Sequence, residues 1–427
     1  MSEQNKSKTR PPFVPHRFAQ QLAKSGLYAT NGSLLWAWSG THWENLEDST
    51  AERMAYAWLL DNEDADRANP ANAKIVIKSA TLYLPLLAAP ALDKIIIPAV
   101  NGYIHIEGDG TCLRPHDKSL GFQHCIKCDY DPLADEPEMF NTFLEQILPD
   151  RSVRERVQEY IGYTFLSDAR FQHAQLWLGN GANGKGALAN VVQALHHKVA
   201  AVQLDSLDGF KLAGMVGAPL IYCDEAPQRG INEQIIKTLI AGELVQIDRK
   251  YRDPISLRIS GKWLVLANHF PTVTDQSAGF WRRWDIVPFD ISIPAANRDS
   301  QLAETIIRQE LSGVLNWAIR GLMRLLARGR FAPEAPQAIQ NALLEAKLDT
   351  NSVASWWEET SGELMPDART PKPKLYTQYA DWARASGMSP VASPKFWKRI
   401  VEVVGNELEF KKIRGERLCN VSLKSSC

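Results

Sequence analysis

Eight consecutive residues, Gly179-Asn180-Gly181-Ala182-Asn183-Gly184-Lys185-Gly186, have the composition and order of a loop that holds phosphate. Glycines let backbone N–H groups turn inward around an anion, and a helix opening at the end of the loop adds its partial positive charge. Lys185 is spaced to bridge the β- and γ-phosphates of ATP. The Ser or Thr that usually follows such a lysine and ligates Mg2+ is replaced by Gly186, so the ion would rest on waters and a downstream acid. An apolar run, Leu220 to Cys223, then delivers two carboxylates, Asp224 and Glu225. Asp224 is expected to hold Mg2+ through water, and Glu225 to orient or deprotonate an attacking water. A third apolar run, Lys262 to Ala267, ends in Asn268, an amide able to hydrogen-bond a γ-phosphate or, alternatively, only to cap a turn. Arg282 and Arg283 precede a fourth run, Ile286 to Phe289. Their planar guanidinium groups suit a finger that reaches phosphates held by a neighbouring subunit; the alternative is a surface salt-bridging pair.

These side chains need a sheet to present them. Between Gln175 and Phe289 apolar strands alternate with helical stretches beginning at Gly184 and across Asn232–Ala241. That alternation argues for an α/β domain with a largely parallel sheet. Upstream, helical periodicity from Glu138 to Leu166 breaks at Pro149-Asp150. Earlier still, SLLWAWSGTHWENL reads as a hairpin closed at Ser39-Gly40, its tryptophans serving packing more readily than base stacking. Residues 1–20 are expected to be disordered. Downstream of a long amphipathic region (Leu302–Arg328), a separate small domain follows from Asn351. The expected division is an α+β region at 1–106, a helical lead-in at 107–170, a P-loop ATPase domain at 171–330 and a small domain at 351–427.

A net charge of −1 over 427 residues excludes a uniformly basic coat, so nucleic-acid contacts must come from local patches. One such patch runs from Arg369 to Cys427, where Lys and Arg exceed Asp and Glu by +7 (12 against 5). Two helices there (Leu375–Ser386 and Pro394–Val404) precede a hairpin turning at Arg414-Gly415-Glu416, an order that suggests a winged helix on duplex DNA. Lys395, Lys398 and Arg399 are the candidate DNA contacts, with a protein-docking winged helix as the alternative. Cys112, His116, His124, Cys125 and Cys128 have spacings at which zinc can bind, although the short segment argues against it. Six cysteines in a chain of this length suggest a reducing compartment. No apolar run reaches the roughly 18 residues of a membrane span, and the polar start is no signal peptide. A cytoplasmic location is therefore expected.

In order, the segments GNGANGKG, IYCDE, IDRKYRDPISLR, LANHFP and GFWRRWDIVPF resemble the superfamily 3 helicase domains of phage and plasmid primase-helicases, which are related to polyomavirus large T antigen. NGYIHI, LRPHD and YDPLADEP resemble the all-helical lead-in of the same family. The resemblance implies an AAA+-like P-loop core, a hexameric ring, and ATP-dependent unwinding of DNA in the replication of a phage, plasmid or other mobile element. It also implies a pore hairpin at Val245 to Arg252. There Lys250 would touch phosphate and Tyr251 would stack on single-stranded DNA, unless the segment is an ordinary basic turn. The first 100 residues carry no acidic cluster beside a His motif, so primase or polymerase activity is expected from a separate partner. A competing reading is an ATP-gated DNA-binding initiator or switch without processive unwinding.

Overall fold

The computed structural model describes residues 12–90, 93–227, 231–249, 252–271, 273, 275, 277–360, 362–386, 390–413 and 415–422. The first helix, α1 (His16–Ser25), buries Phe18, Ala19 and Leu22. Residues 16–20, expected to be disordered, are thus helical, because this apolar face finds a partner. Gly26, in the left-handed region at φ 63°, ends the helix. Three short antiparallel strands follow, β1 (Tyr28–Thr30), β2 (Leu35–Trp38) and β3 (Trp43–Asn45). Trp36 and Trp43 are buried in the core, as their packing role required. Then come α2 (Asp48–Asn62) and α3 (Pro70–Tyr83). Asn69 caps α3 by accepting from the Asn72 N–H, with Pro70 at the first helical position. Trp58, Leu59, Val76 and Ile77 close this small core over α1.

An antiparallel meander of β4 (Ile95–Ala99), β5 (Gly102–Glu107) and β6 (Gly110–Arg114) runs across the boundary expected at 106/107. The lead-in is therefore not all-helical. Ile97 and Ile104 bury themselves in the core that α4 (Glu138–Ile147) and α5 (Arg151–Tyr163) also line, so strand and helix are held by one set of contacts. Within residues 107–170 the first α-helix begins at Glu138.

The central layer is a five-stranded sheet of β7 (Ala174–Leu178), β8 (Val199–Ala201), β9 (Leu220–Cys223), β12 (Lys262–Ala267) and β13 (Trp284–Pro288), with α6 (Lys185–Ala194) after β7. Between β9 and β12 lie α7 (Glu233–Ile240) and a hairpin of β10 (Leu244–Arg249) and β11 (Arg252–Arg258); α8 (Ala278–Trp281) precedes β13. The order across the sheet is β13-β7-β12-β9-β8, every neighbouring pair parallel. All four residues of β9 and all six of β12 are buried. Apart from Lys262 at the start of β12, that is the apolar run a parallel sheet covered on both faces demands. One face packs on α4, α5, α6, α9 (Leu302–Gln309) and α10 (Leu311–Arg328). At the α5–α10 crossing a Cβ on Gly162 would stand 2.5 Å from the Ala318 carbonyl oxygen, and one on Gly321 2.6 Å from that of Gln158. Glycine at both positions lets the two helices touch backbone to backbone. Glu310 accepts from the N–H groups of Met139 and Phe140 at 3.0 and 2.9 Å, placing a carboxylate on the positive end of α4.

After α11 (Gln337–Thr350), the C-terminal unit contains α12 (Ser352–Glu359), β14 (Glu363–Leu364), β15 (Thr370–Pro371), α13 (Lys372–Ala385), α14 (Ser393–Val404), β16 (Phe410–Ile413), β17 (Glu416–Cys419) and β18 (Val421–Ser422). Its core is aromatic: Trp356, Tyr379 and Phe396 meet, with Tyr379 and Phe396 stacked at 4.8 Å. The strands β15-β17-β16 form a small antiparallel sheet beside the helices. Among the described residues no helix is long and apolar enough to cross a membrane.

Candidate functional site: a phosphate loop and two carboxylates at one sheet edge

The loop from Gly179 to Gly184 joins β7 to α6 at the C-terminal edge of the sheet. Its shape depends on glycine at two positions. A Cβ on Gly179 would lie 2.4 Å from the Phe289 carbonyl oxygen; one on Gly184, at φ 82°, would lie 2.6 Å from Ile147 Cγ2. Ala182 also takes a left-handed conformation, φ 63°. Asn183 is buried and braces the loop, its side-chain amide donating to the Phe289 carbonyl at 3.0 Å. By contrast, a Cβ on Gly186 would meet nothing within 4 Å.

Parallel pairing places the ends of β7, β9 and β12 together. Leu178 pairs with Ala267, and Cys223 with Val265, so the residues following each strand converge. Lys185 Nζ donates to the Gly179 carbonyl at 2.6 Å and to Asn268 Oδ1 at 3.1 Å. The Asn268 amide lies 3.5 Å from a Glu225 carboxylate oxygen. Tyr222, which the sequence reading passed over, donates its hydroxyl to Asp224 at 2.6 Å. Burial lowers the Lys185 pKa, while Glu225 and Asp224 oppose that shift. Burial, and then the bond to Asp224, raises that of Tyr222. Lys185, Gly186, Asp224, Glu225 and Asn268 line a cleft of about 360 Å³. A second cleft of about 550 Å³ adjoins it through Asn183 and Asn268, walled by Phe270, Ile291, Glu345 and Asp349. The contribution of α11 to that wall carries no motif in the sequence.

Arg282 and Arg283 lie elsewhere. β13 pairs with β7 from Trp284 opposite Ala174 to Pro288 opposite Leu178. The arginines therefore sit at the N-terminal edge of the sheet, roughly 16 Å of strand away from the phosphate loop. They border a separate basic cleft with Arg170, His173 and Arg330. Arg282 is exposed and Arg283 half-buried. One Arg283 nitrogen, Nη1, donates to the Gly279 carbonyl, while Nε is buried with no hydrogen-bond partner among the described residues. Just beyond, Asp285 is locked to Arg156 of α5 by paired bonds of 2.6 and 3.0 Å, with His173 3.4 Å away. His173 and Arg156 hold the Asp285 carboxyl below its usual range against the effect of burial.

Lys250 and Tyr251 lie outside the described residues. The arms on either side of them pair as an antiparallel hairpin, and Arg249 Nη2 bonds Asp48 at 2.8 Å. On α14, Lys395 and Lys398 are exposed, but Arg399 is 6% exposed. That corrects the grouping of the three: the helical turn carries residue 399 to the side where Phe396 and Ile400 pack. The cysteine group expected as a zinc alternative does not assemble. Cys112 is exposed and Cys125 buried; His116 and His124 point Nε2 at the Ala99 and Phe165 carbonyls, at 2.9 and 3.1 Å. Burial pushes the Cys125 and Cys128 thiols up to about 11 and about 12.

Fold and site together define an α/β protein whose parallel sheet presents a glycine-rich loop, a lysine and two carboxylates at one edge. Two family models match the chain. One, described as D5 N terminal like, covers residues 16–149; the other, described as a family of unknown function (DUF5906), covers residues 177–283. A protein of Acanthamoeba polyphaga mimivirus named "Putative helicase" is 28% identical over 180 residues, or 39% of this chain. The match spans 19% of that relative's length. Among solved structures, the apo C-terminal region of NrS-1 matches over 97% of this chain and 100% of its own, with a TM-score of 0.52 at 12% identity. A second apo structure of that region gives 0.53 at 13% identity over 96% of this chain. At such identity the likeness establishes a shared fold.

Proposed function

We propose that this chain is an ATP-driven DNA helicase of the superfamily 3 type, acting in replication of a phage, virus or other mobile element. The observation that carries the reading is the convergence of Lys185, Asp224, Glu225 and Asn268 on one cleft. The strand order, fifth-first-fourth-third-second counted along the sheet's own strands, supports an AAA+-like P-loop core. The mimivirus relative's name and the D5 match favour a replicative role.

The donor set fits a nucleotide with Mg2+, although Gly186 supplies no hydroxyl and leaves Asp224 as the acid that would hold the ion through water. Magnesium bound there would neutralise charge on the transferring phosphates. Loop N–H groups and the α6 N-terminus cradle the phosphates. Lys185 leaves the Gly179 carbonyl and Asn268 to meet β- and γ-oxygens. Glu225 takes the proton of the attacking water, and Asn268, already between Lys185 and Glu225, senses the γ-phosphate. The place of Arg282 and Arg283 at the opposite sheet edge, away from their own phosphate loop, supports a role on a neighbouring subunit's nucleotide in a ring. The β10–β11 hairpin grips single-stranded DNA in the pore, with Lys250 offered to phosphate and Tyr251 to a base. The two helices and hairpin of the C-terminal unit form a winged helix that holds duplex through Lys395 and Lys398.

Strand displacement measured beside ATP turnover tests this. Lys185→Ala should abolish both, and Glu225→Gln should bind ATP without hydrolysing it. Gly186 favours one second reading, an ATP-gated DNA-binding initiator. Turnover without unwinding would support that reading over the helicase.

A further inference from the structure

We infer that His42, Glu44 and His197 form a site for a divalent transition-metal ion such as zinc, clamping the N-terminal hairpin to the far end of the helix that begins at Lys185. The three come from distant stretches. His42 and Glu44 flank Trp43 at the start of β3, and His197 lies just beyond α6. A strand's period of two puts residues 42 and 44 on one face. Each residue offers one ligand atom, and these three atoms lie within 4.8 Å of one another. One edge of the triangle already has the length a metal shell needs. His42 Nε2 is 3.5 Å from a Glu44 carboxylate oxygen, and metal–ligand bonds of about 2.1 Å at tetrahedral angles separate neighbouring ligands by roughly 3.4 Å.

The surroundings are those of a ligating imidazole. A metal-bound histidine needs a partner on its other ring nitrogen to fix tautomer and orientation. His42 Nδ1 has two, the Thr41 hydroxyl at 2.8 Å and the Ser39 hydroxyl at 3.2 Å. Thr41 is held in turn, its carbonyl accepting from the Tyr103 hydroxyl at 2.9 Å. The His197 ring stands at 70° to that of His42 with centroids 4.9 Å apart. Its backbone is fixed by an N–H bond to the Cys125 carbonyl at 3.1 Å. The neighbouring cation, Lys198, is engaged by the Val216 carbonyl at 2.8 Å. His42 is buried, whereas Glu44 and His197 are exposed, so an ion has an entry path and water can complete its shell. Two imidazoles and one carboxylate suit zinc and chemically similar ions; magnesium and calcium prefer all-oxygen shells. A simple His–Glu contact would need no second imidazole. The site shares no residue with the phosphate cleft, so it stands whether or not the chain hydrolyses ATP.

The test uses the full chain without an affinity tag, stripped of metal by a chelator, and titrated with zinc by calorimetry. One equivalent should bind and raise Tm by several degrees. His197→Ala and Glu44→Gln change exposed side chains, so both should fold with unaltered circular dichroism. Each should weaken zinc binding at least about tenfold and abolish the Tm rise, while Cys112→Ser and Cys128→Ser should leave both intact. Cobalt in place of zinc should give d–d bands without thiolate charge-transfer absorption. Zinc affinity unchanged in both His197→Ala and Glu44→Gln, loss only in the cysteine variants, or no saturable binding by the wild-type chain would each overturn the site.

Discussion

Replacing Asp285 by asparagine should destabilise the chain by about 3–5 kcal/mol, the usual cost of breaking a buried ion pair by removing one partner. The magnitude follows from burial and geometry. The Arg156 and Asp285 side chains are 6% and 4% exposed, and Arg156 Nε and Nη2 engage the two carboxylate oxygens at 2.6 and 3.0 Å. At that depth solvent screens little, so an amide in place of the carboxylate leaves a guanidinium desolvated and uncompensated. The same guanidinium lies 4.3 Å from the Phe331 ring centroid, which offsets only part of the loss. At about 2.1 cal/mol/K of unfolding entropy per residue, 3 kcal/mol in a chain of 427 residues corresponds to roughly 3 °C in Tm, readable by differential scanning fluorimetry. The folded carboxyl lies below its ordinary value. Its contribution is therefore complete above the ordinary carboxylate pKa and is lost as pH falls through the folded one. The gap between wild type and Asp285→Asn should persist at neutral pH and close in acid. A double variant, Asp285→Leu with Arg156→Met, should recover much of the loss because neither charge remains. Asp285→Asn within 1 kcal/mol of wild type at pH 7 would refute the reasoning.

Three further outcomes are expected. Gly184→Ala should destabilise by about 2–4 kcal/mol through a forced left-handed Cβ and collision with Ile147, whereas Gly186→Thr should fold normally and tighten Mg2+-dependent nucleotide binding. Equal Tm values for the two variants would contradict the glycine geometry. Arg283→Ala should bind ATP yet hydrolyse it poorly, and mixing it with Lys185→Ala should restore part of the turnover; a fully active Arg283→Ala moves the finger to Arg282. Burial lowers the Lys262 pKa to about 7, so the folded chain holds fewer protons than the unfolded one between that value and the ordinary lysine range. Stability should accordingly rise with pH across that window, by at most about 1.4 kcal/mol per pH unit. Lys262→Met should flatten this slope, as urea midpoints at pH 7 and pH 9.5 would reveal; an unchanged slope assigns it to other groups.

What the sequence determined by itself were features with local physical causes. The glycines and lysine of residues 179–186, the apolar runs that must be buried strands, and the acids and amide that end them are all set by short-range spacing. The alternation of strand and helix sufficed for a parallel sheet, and the break at Pro149-Asp150 for a helix end near it. Pairing belongs to the tertiary structure. Only the register of β7, β9 and β12 shows that Lys185, Glu225 and Asn268 touch, and only the register of β13 sends Arg283 to the opposite edge. Burial is likewise nonlocal. Arg399 reads as one more basic residue beside Lys398 until packing turns it inward, and His16 to Gln20 read as a polar tail until α3 covers Phe18 and Ala19. The α+β reading of residues 1–106 took in β4 and most of β5 but not β6, whose residues are mostly exposed and so show no apolar alternation. His42, Glu44 and His197 meet across about 150 residues, a distance no spacing rule spans, because only the folded chain decides which loops become neighbours.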